Sequence, residues 1–389
     1  MINSSRKRIL SIDRYRGMAV LLLIATLPMY FIDAFDFTDR FTTHIIEDAF
    51  LLVPNYAFYD FIAPIFIFAA GLSFSLSFKK TREKFGKRKV LIRTVFRGLK
   101  LIAIGSFLLY FGEHLIDDVY RISSYVIAGL SGIWLFLWIT KSGFKHTIGT
   151  ILHVSLIVIG GFALVVGIAE TGYLLINGSL PFEHWNVLQS IGLATLITLL
   201  FHGFKPWMKL IALFIFFMIY AFIYKLIGYN AFVSMSHGGV LGSFGWAQMM
   251  IAADMIGELS TTNKKIMYLV GGILVISGIA GYLLFECNKF SVSPGYVSMS
   301  IVLSFLFYLI INLFDFWRID NGPIVSLGRN PILIYIIHML VGAYVGIYLN
   351  YYAYIYGSNL IAFAGLLLYI VILFTLSFLL NRYKIYLKI

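Results

Sequence analysis

YDFIAPIFIFAAGLSFSLSFKKTREKFGKRK, residues 59–89, joins a long apolar run to a segment with seven cations and one glutamate. About 20 apolar residues suffice for a helix to cross a bilayer, and lysine and arginine collect on the cytoplasmic side of such helices. The stretch therefore reads as a transmembrane helix with its cytoplasmic end near Lys79 and its outer end near Asp60.

The rest of the chain repeats that pattern. Of 389 residues, 60% are hydrophobic and 12% charged, against roughly 25% charged in soluble proteins. The mean hydropathy is +0.89. Such a chain lacks the polar surface to cover itself in water, which excludes a pair of soluble domains. An all-α polytopic membrane bundle is expected, as a single domain over 1–389.

Twelve apolar runs are candidate spans: 15–35, 56–78, 93–112, 122–140, 147–171, 186–202, 207–228, 239–258, 265–285, 295–315, 329–348 and 359–381. Arg6, Lys7 and Arg8 precede the first run as in a signal peptide. No small-residue cleavage pattern follows, so it reads as a retained span. Cations recur in alternate loops, at 79–89, 141–145, 204–209, 263–265 and 381–388, while Asp36, Asp39, Glu47, Asp48, Glu113, Asp117, Asp118 and Glu183 occupy the others. Both termini are then expected in the cytosol, with most of the +12 net charge on that face.

The lone Cys287 excludes an intrachain disulfide framework. No CxxC, HExxH or EF-hand pattern occurs, so no metal is expected, and nothing points to nucleic acid. An ionisable side chain inside a span costs on the order of 2.5–3.5 kcal/mol on insertion scales, which makes each one a site candidate. Asp60, Gln189, Asp254 and His338 fall in or at the ends of spans. The alternative for each is a buried group bonded to a neighbouring helix. The outer loop FTTHIIED (41–48) places His44 among carboxylates. A near-neutral imidazole suits general-base work, and Asp60 is available to orient it.

The order of motifs resembles the heparan-alpha-glucosaminide N-acetyltransferase family. RILSIDRYRGMAVLLL (8–23) is similar to the family's R-x-x-S-x-D-x-x-R-G opening, and YDFIAPIFIFAAGLSFSLS (59–77) to its D-x-x-x-P-x-F-x-F-x-x-G span. VLQSIGLATL (187–196), GGVLGSFGWAQMMIAADMIGE (238–258), CNKFSVSPGYVSMS (287–300) and LGRNPILIYIIHML (327–340) resemble four further family blocks in order. The resemblance implies a bundle of about eleven helices that passes acetyl groups from cytosolic acetyl-CoA to an amino sugar or surface glycan outside. It places His44 at the catalytic histidine and Asp60 at the aspartate opening the second span. Asn330 and His338 match the late polar pair, and Lys289 the lysine before the span at 295–315.

The chain departs from the family in places. His44 stands sixteen residues from Asp60, farther than in the animal enzymes. IATLPMYFID lacks their asparagine-bearing tract, the arginine of L-Q-R is Ser190, and the spans between about 119 and 172 read as an insertion. Arginine suits the phosphates of coenzyme A because its planar fork bonds two oxygens. Arg14, Arg16, Arg97 and Arg329 are candidates on the cytosolic side, with Gln189, Lys289 and Asn330 beside the path and His338 as a further catalytic candidate. A secondary transporter of a small polar solute is the competing reading, although no repeated half is evident. A membrane-lipid environment, most simply the plasma membrane, is expected; a homodimer is left open.

Overall fold

The computed structural model describes residues 10–30, 51–115, 147–177, 185–228, 232, 236–313 and 322–386. The FTTHIIED loop with His44 and the span expected at 122–140 lie outside the described residues. The described residues form twelve α-helices: α1 Leu10–Tyr30, α2 Ile62–Phe85, α3 Lys87–Leu115, α4 Thr147–Asn177, α5 Val187–Phe201, α6 Pro206–Ile227, α7 Gly239–Thr262, α8 Lys264–Leu284, α9 Pro294–Leu313, α10 Pro323–Arg329, α11 Pro331–Tyr356 and α12 Asn359–Arg382. The protein is thus an all-α bundle of the polytopic membrane type. Seven of its described helices are long and apolar enough to cross a membrane, covering 59–85, 154–173, α6, α8, α9, α11 and α12.

Of the remaining long helices, α3 opens on an exposed cationic segment, whereas α7 lies inside. α7 is the centre: every residue from Gly245 to Gly257 is buried, and it packs against α2, α5, α6, α8 and α9. A helix buried on all sides needs no lipid-facing stripe, so α7 can carry Gln248 and Asp254. Phe214 and Phe222 of α6, Leu269 and Ile276 of α8, and Leu368 of α12 are exposed instead. They form the surface that a bilayer would cover.

Two glycine-mediated approaches fix the inner layer. A β-carbon on Gly71 of α2 would meet the Met250 carbonyl of α7, and one on Gly257 of α7 would meet the Leu72 carbonyl of α2. Close backbone approach through small residues is a membrane packing device. Gly17 of α1 and Gly328 of α10 do the same against Ile324 and Asp13.

The span expected at 329–348 is the continuous helix α11, preceded by a break. Asn330 separates α10 from α11, with Pro331 in the first turn of α11, where a missing N–H costs nothing. Pro64 is likewise accommodated in the first turn of α2, after a 3₁₀ turn at Tyr59–Phe61. Ahead of that turn, Leu51–Val53 (β1) pairs antiparallel with Tyr56–Ala57 (β2).

Candidate functional site

The β1–β2 hairpin and the 3₁₀ turn deliver Asp60 to one end of the bundle. Its Oδ2 accepts the Ala57 N–H at 3.1 Å, and its main-chain oxygen accepts the Tyr296 hydroxyl at 2.8 Å. Lys289 Nζ lies 3.8 Å from Asp60 Oδ1 and 5.0 Å from the centre of the Tyr59 ring. Tyr56 stacks on Tyr296 at 5.2 Å, and its hydroxyl bonds Ser300 at 2.8 Å. Trp246 meets Tyr296 edge-on at 5.8 Å. A carboxylate, an ammonium and several phenols are therefore gathered at one mouth.

Lys289 is presented by the loop at 285–293, whose sequence explains its shape. The Asn288 side chain accepts the Phe290 N–H at 2.9 Å, and Ser293 Oγ donates to the Glu286 carbonyl at 2.6 Å. Tyr220 of α6 donates to the Val292 carbonyl at 2.7 Å, and Tyr224 bonds Ser291 at 2.8 Å. Val292 has φ +50°, which a β-branched residue rarely adopts. Its side chain reaches the glycine face of α7 at Gly238, Gly242 and Gly245. His237, at the entry to α7, is also left-handed with φ +55°. Strain of this kind persists only where surrounding contacts over-determine it, and it clusters at functional sites.

The same packing tunes the titratable groups. Burial lowers the Lys289 ammonium to about 8, with Asp60 pulling it back up only in part. The Cys287 thiol is pushed up to about 12, first by burial and then by Asp60 and Glu286. Lys289 is thus an amine within reach of neutrality at physiological pH, and Cys287 is an inert thiol.

His338 sits inside the bundle on α11, fully buried, with Nδ1 2.8 Å from the Tyr369 hydroxyl of α12. Nε2 has no hydrogen-bond partner among the described residues. The Leu23 carbonyl of α1 is near the ring but outside hydrogen-bond geometry. A buried ring nitrogen without a partner is uncommon and calls for an explanation.

Cations gather in the other half of the bundle. A narrow cleft of about 40 Å³ between α1, α2, α3, α5 and α11 is lined by Arg16, Ser73, Arg97, Leu188 and Pro331, among others. Arg16 Nη1 is held 3.3 Å from Asp13 Oδ1. Arg14 is buried on the same helix, α1. Three expected cofactor-binding residues stand apart from this cleft. Gln189 closes a capping box with Asn186 and donates to Ser106 at 3.0 Å. Arg329 donates to Asn381 at 3.0 Å, and Asn330 to the Ile385 carbonyl at 2.8 Å, so both hold the C-terminal segment. The structure therefore brings Asp60 and Lys289 together, and Arg16 with Arg97, but does not bring all the expected residues into one place.

Residues 8–181 match the family model described as heparan-alpha-glucosaminide N-acetyltransferase, catalytic. This agrees with the resemblance read from the sequence motifs. The acetyltransferase match covers α1 to α4, and with them Arg14, Arg16, Asp60, Arg97 and the position of His44; Gln189, Lys289, Arg329, Asn330 and His338 lie beyond it. No curated protein matches the chain. Together with the apolar helices, the match supports a transmembrane acetyltransferase.

Sequence reasoning missed several partners. Ser190, where the acetyltransferase family has arginine, is fully buried and shares the Trp185 indole N–H with Ser243, each at 3.0 Å. Asp254 belongs to a buried ionic cluster: Lys209 Nζ lies 2.7 Å from both Asp254 Oδ2 and Glu258 Oε2, and His202 Nδ1 is 3.1 Å from Asp254 Oδ1. His202 packs on Phe78 and Phe74 of α2 at 4.2 and 5.2 Å. The one sequence signal was the i, i+4 spacing of Asp254 and Glu258 on a helix. The tyrosines around Asp60 gave none, because tyrosine is common at membrane interfaces.

Proposed function

We propose that this protein transfers the acetyl group of cytosolic acetyl-CoA to an amine of a sugar or surface glycan on the opposite side of the membrane. The observation that carries the reading is the family match over residues 8–181, with Asp60 in that segment standing in a carboxylate–ammonium–phenol mouth. The cations of alternate loops orient the Arg16–Arg97 cleft toward the cytosol and Asp60 outward.

In this reading Arg16 and Arg97 bond the phosphates of coenzyme A through charge-assisted hydrogen bonds, and Arg14 adds to the cationic field. The pantetheine arm enters through this cleft, between α1, α2, α3, α5 and α11. The thioester then passes His338, whose Nε2 supplies a polar contact inside an otherwise apolar path. Gln189, Arg329 and Asn330 keep the surrounding helix ends in place.

At the outer mouth His44 takes a proton from the acceptor amine as its nitrogen attacks the thioester carbonyl carbon. The C–N bond forms, the C–S bond breaks, and the thiolate of coenzyme A leaves with a proton. Asp60 stabilises the imidazolium, as carboxylates do in other base-and-orienter pairs. The tyrosines and Lys289 meet the hydroxyls of the sugar.

The test is transfer of labelled acetyl from acetyl-CoA on one side of sealed proteoliposomes to glucosamine-terminated acceptors on the other. Wild-type protein should yield product, and His44→Ala should lose on the order of 10²–10⁴-fold, the usual contribution of a general base. Product at the wild-type rate from His44→Ala would refute the assignment of the base. No product with any amino sugar would refute the acceptor class.

A further inference from the structure

We propose that the cationic turn between α2 and α3, residues 79–93, is a docking surface for acidic phospholipid headgroups. This binding site does not depend on the acetyltransferase reading; it lies on the face where the cations collect.

The eight lysines and arginines between Lys79 and Arg93 are all exposed, and Glu83 is the one acid in that stretch. By comparison, the basic turns at 204–209 and 263–265 hold two lysines each, and Lys209 is neutralised by two carboxylates. Among the described residues none of the eight is in an ion pair. The charge on this surface is therefore balanced from outside the chain.

The fold holds those charges in one patch. Gly86 makes the turn as a single residue at φ +82°, a conformation that glycine adopts freely, and its N–H donates to the Arg82 carbonyl at 2.8 Å. The Arg93 guanidinium lies 3.7 Å from the centre of the Phe85 ring and the Lys84 ammonium 5.1 Å from it. These cation–π contacts tie the end of α2 to the second turn of α3. Val90 is buried and anchors the first turn of α3.

Depth decides the partner. At about 1.5 Å per residue, Lys79 stands about 26 Å along α2 from Ile62, close to the roughly 30 Å of a hydrocarbon core. The cations therefore begin at headgroup level. Ile92 and Phe96, one turn apart on α3, are exposed beside Lys89 and Arg93. Such a surface sets apolar groups among acyl chains and cations among phosphates. Lipid phosphates are the anions already at that depth, and clusters of about four to eight cations next to a span attract acidic lipids. A soluble polyanion would engage the tip of the turn and leave Ile92 and Phe96 uncovered.

The experiment titrates the full-length protein in neutral detergent with phosphatidylglycerol or phosphatidylcholine of matched chains, followed by native mass spectrometry. Wild type should hold phosphatidylglycerol about tenfold or more tighter, with the preference shrinking as salt rises. The combined variant K79Q, K80Q, K84Q, K87Q, R88Q, K89Q should reduce the preference to within about twofold, whereas K264Q with K265Q should leave it unchanged. Photo-crosslinking supplies a readout that needs no variant: phosphatidylglycerol with a photoreactive headgroup should label wild-type peptides within 79–96. Equal retention of the two lipids, an unaltered preference in the six-fold variant, or label concentrated at 263–265 overturns the proposal. Saturating coenzyme A should leave the bound phosphatidylglycerol in place; its displacement would give the turn to the acyl donor and overturn the lipid assignment.

Discussion

Two aspartate–lysine pairs occupy different levels of the bundle and are built to opposite ends. Asp254 and Lys209 stand 2.7 Å apart with both side chains buried, and Glu258 and His202 complete the cluster. Asp60 and Lys289 stand 3.8 Å apart, the aspartate buried and the lysine nearly so, among aromatic rings and next to left-handed Val292. At 1.5 Å per residue along α2, Asp60 lies roughly 20 Å from the level of Phe74, which packs on His202. The first arrangement satisfies its charges and locks α5, α6 and α7 together. The second is longer, and burial there weakens the lysine's hold on its proton. A short, doubly bonded pair is a fastener; a long, desolvated one is an instrument.

The largest expected effect breaks the fastener. Lys209→Met leaves Asp254 buried opposite Glu258 without a cation between them. Removing one partner of a buried ion pair costs about 3–5 kcal/mol, so thermal unfolding in detergent, followed by tryptophan fluorescence, should show a large drop in midpoint. A midpoint within a degree or two of wild type would mean that the cluster is not structural, and the comparison would fail on that side. Asp60→Asn should do the reverse. Its pair with Lys289 is long, at 3.8 Å, the lysine can shed its proton near neutral pH, and asparagine can still accept the Ala57 N–H. Unfolding should barely move, while acetyl transfer falls about 10²-fold. Equal losses of stability and activity would erase the distinction.

A third test uses pH. In the folded protein burial lowers Lys289 to about 8, below the 10.5 of a solvated lysine. Between those values the unfolded chain binds more protons than the folded one, so stability rises with pH across this window. Below about 8 both states are protonated, and the cost of the buried ammonium is fully present. The midpoint of unfolding should therefore climb between pH 8 and pH 10, and Lys289→Met should flatten that climb. An unchanged slope in the variant would show that the mouth is wetter than its packing indicates.

These contrasts were unevenly legible in the amino-acid sequence. Hydropathy located α2, α6, α8, α9, α11 and α12 closely, because lipid demands long apolar runs. The break at Asn330 was visible in its following proline. Motif order anticipated the family match over residues 8–181 and singled out Asp60 and Lys289, but the distance between them is set by the turn of Asn288 and by Tyr220 on another helix. Asp254 stood out as costly in a span, and its partner did not: Lys209 lies at the end of a different run, where a cation looks like ordinary cytoplasmic bias. Gln189 shows a local role that the sequence did not disclose. A glutamine at a span end drew attention as a binding group, while its side chain is engaged locally in capping α5.

The smallest expected effect concerns the cationic half and sharpens what the comparison says about it. Arg97 lines the cleft together with Arg16, at the level where the donor would enter. Arg97→Gln keeps a hydrogen-bonding side chain of similar reach and removes one charge. It should raise KM for acetyl-CoA several-fold with kcat nearly unchanged, since a phosphate contact far from the reacting carbon binds ground state and transition state alike. The increase should be greatest at low ionic strength and shrink as salt screens the phosphates. If kcat falls instead and KM holds, Arg97 positions the thioester rather than the phosphates. The acyl end of the donor would then lie about one helix turn from Ser73 rather than beside Asp60, and the outer pair would have to be reassigned to the acceptor alone.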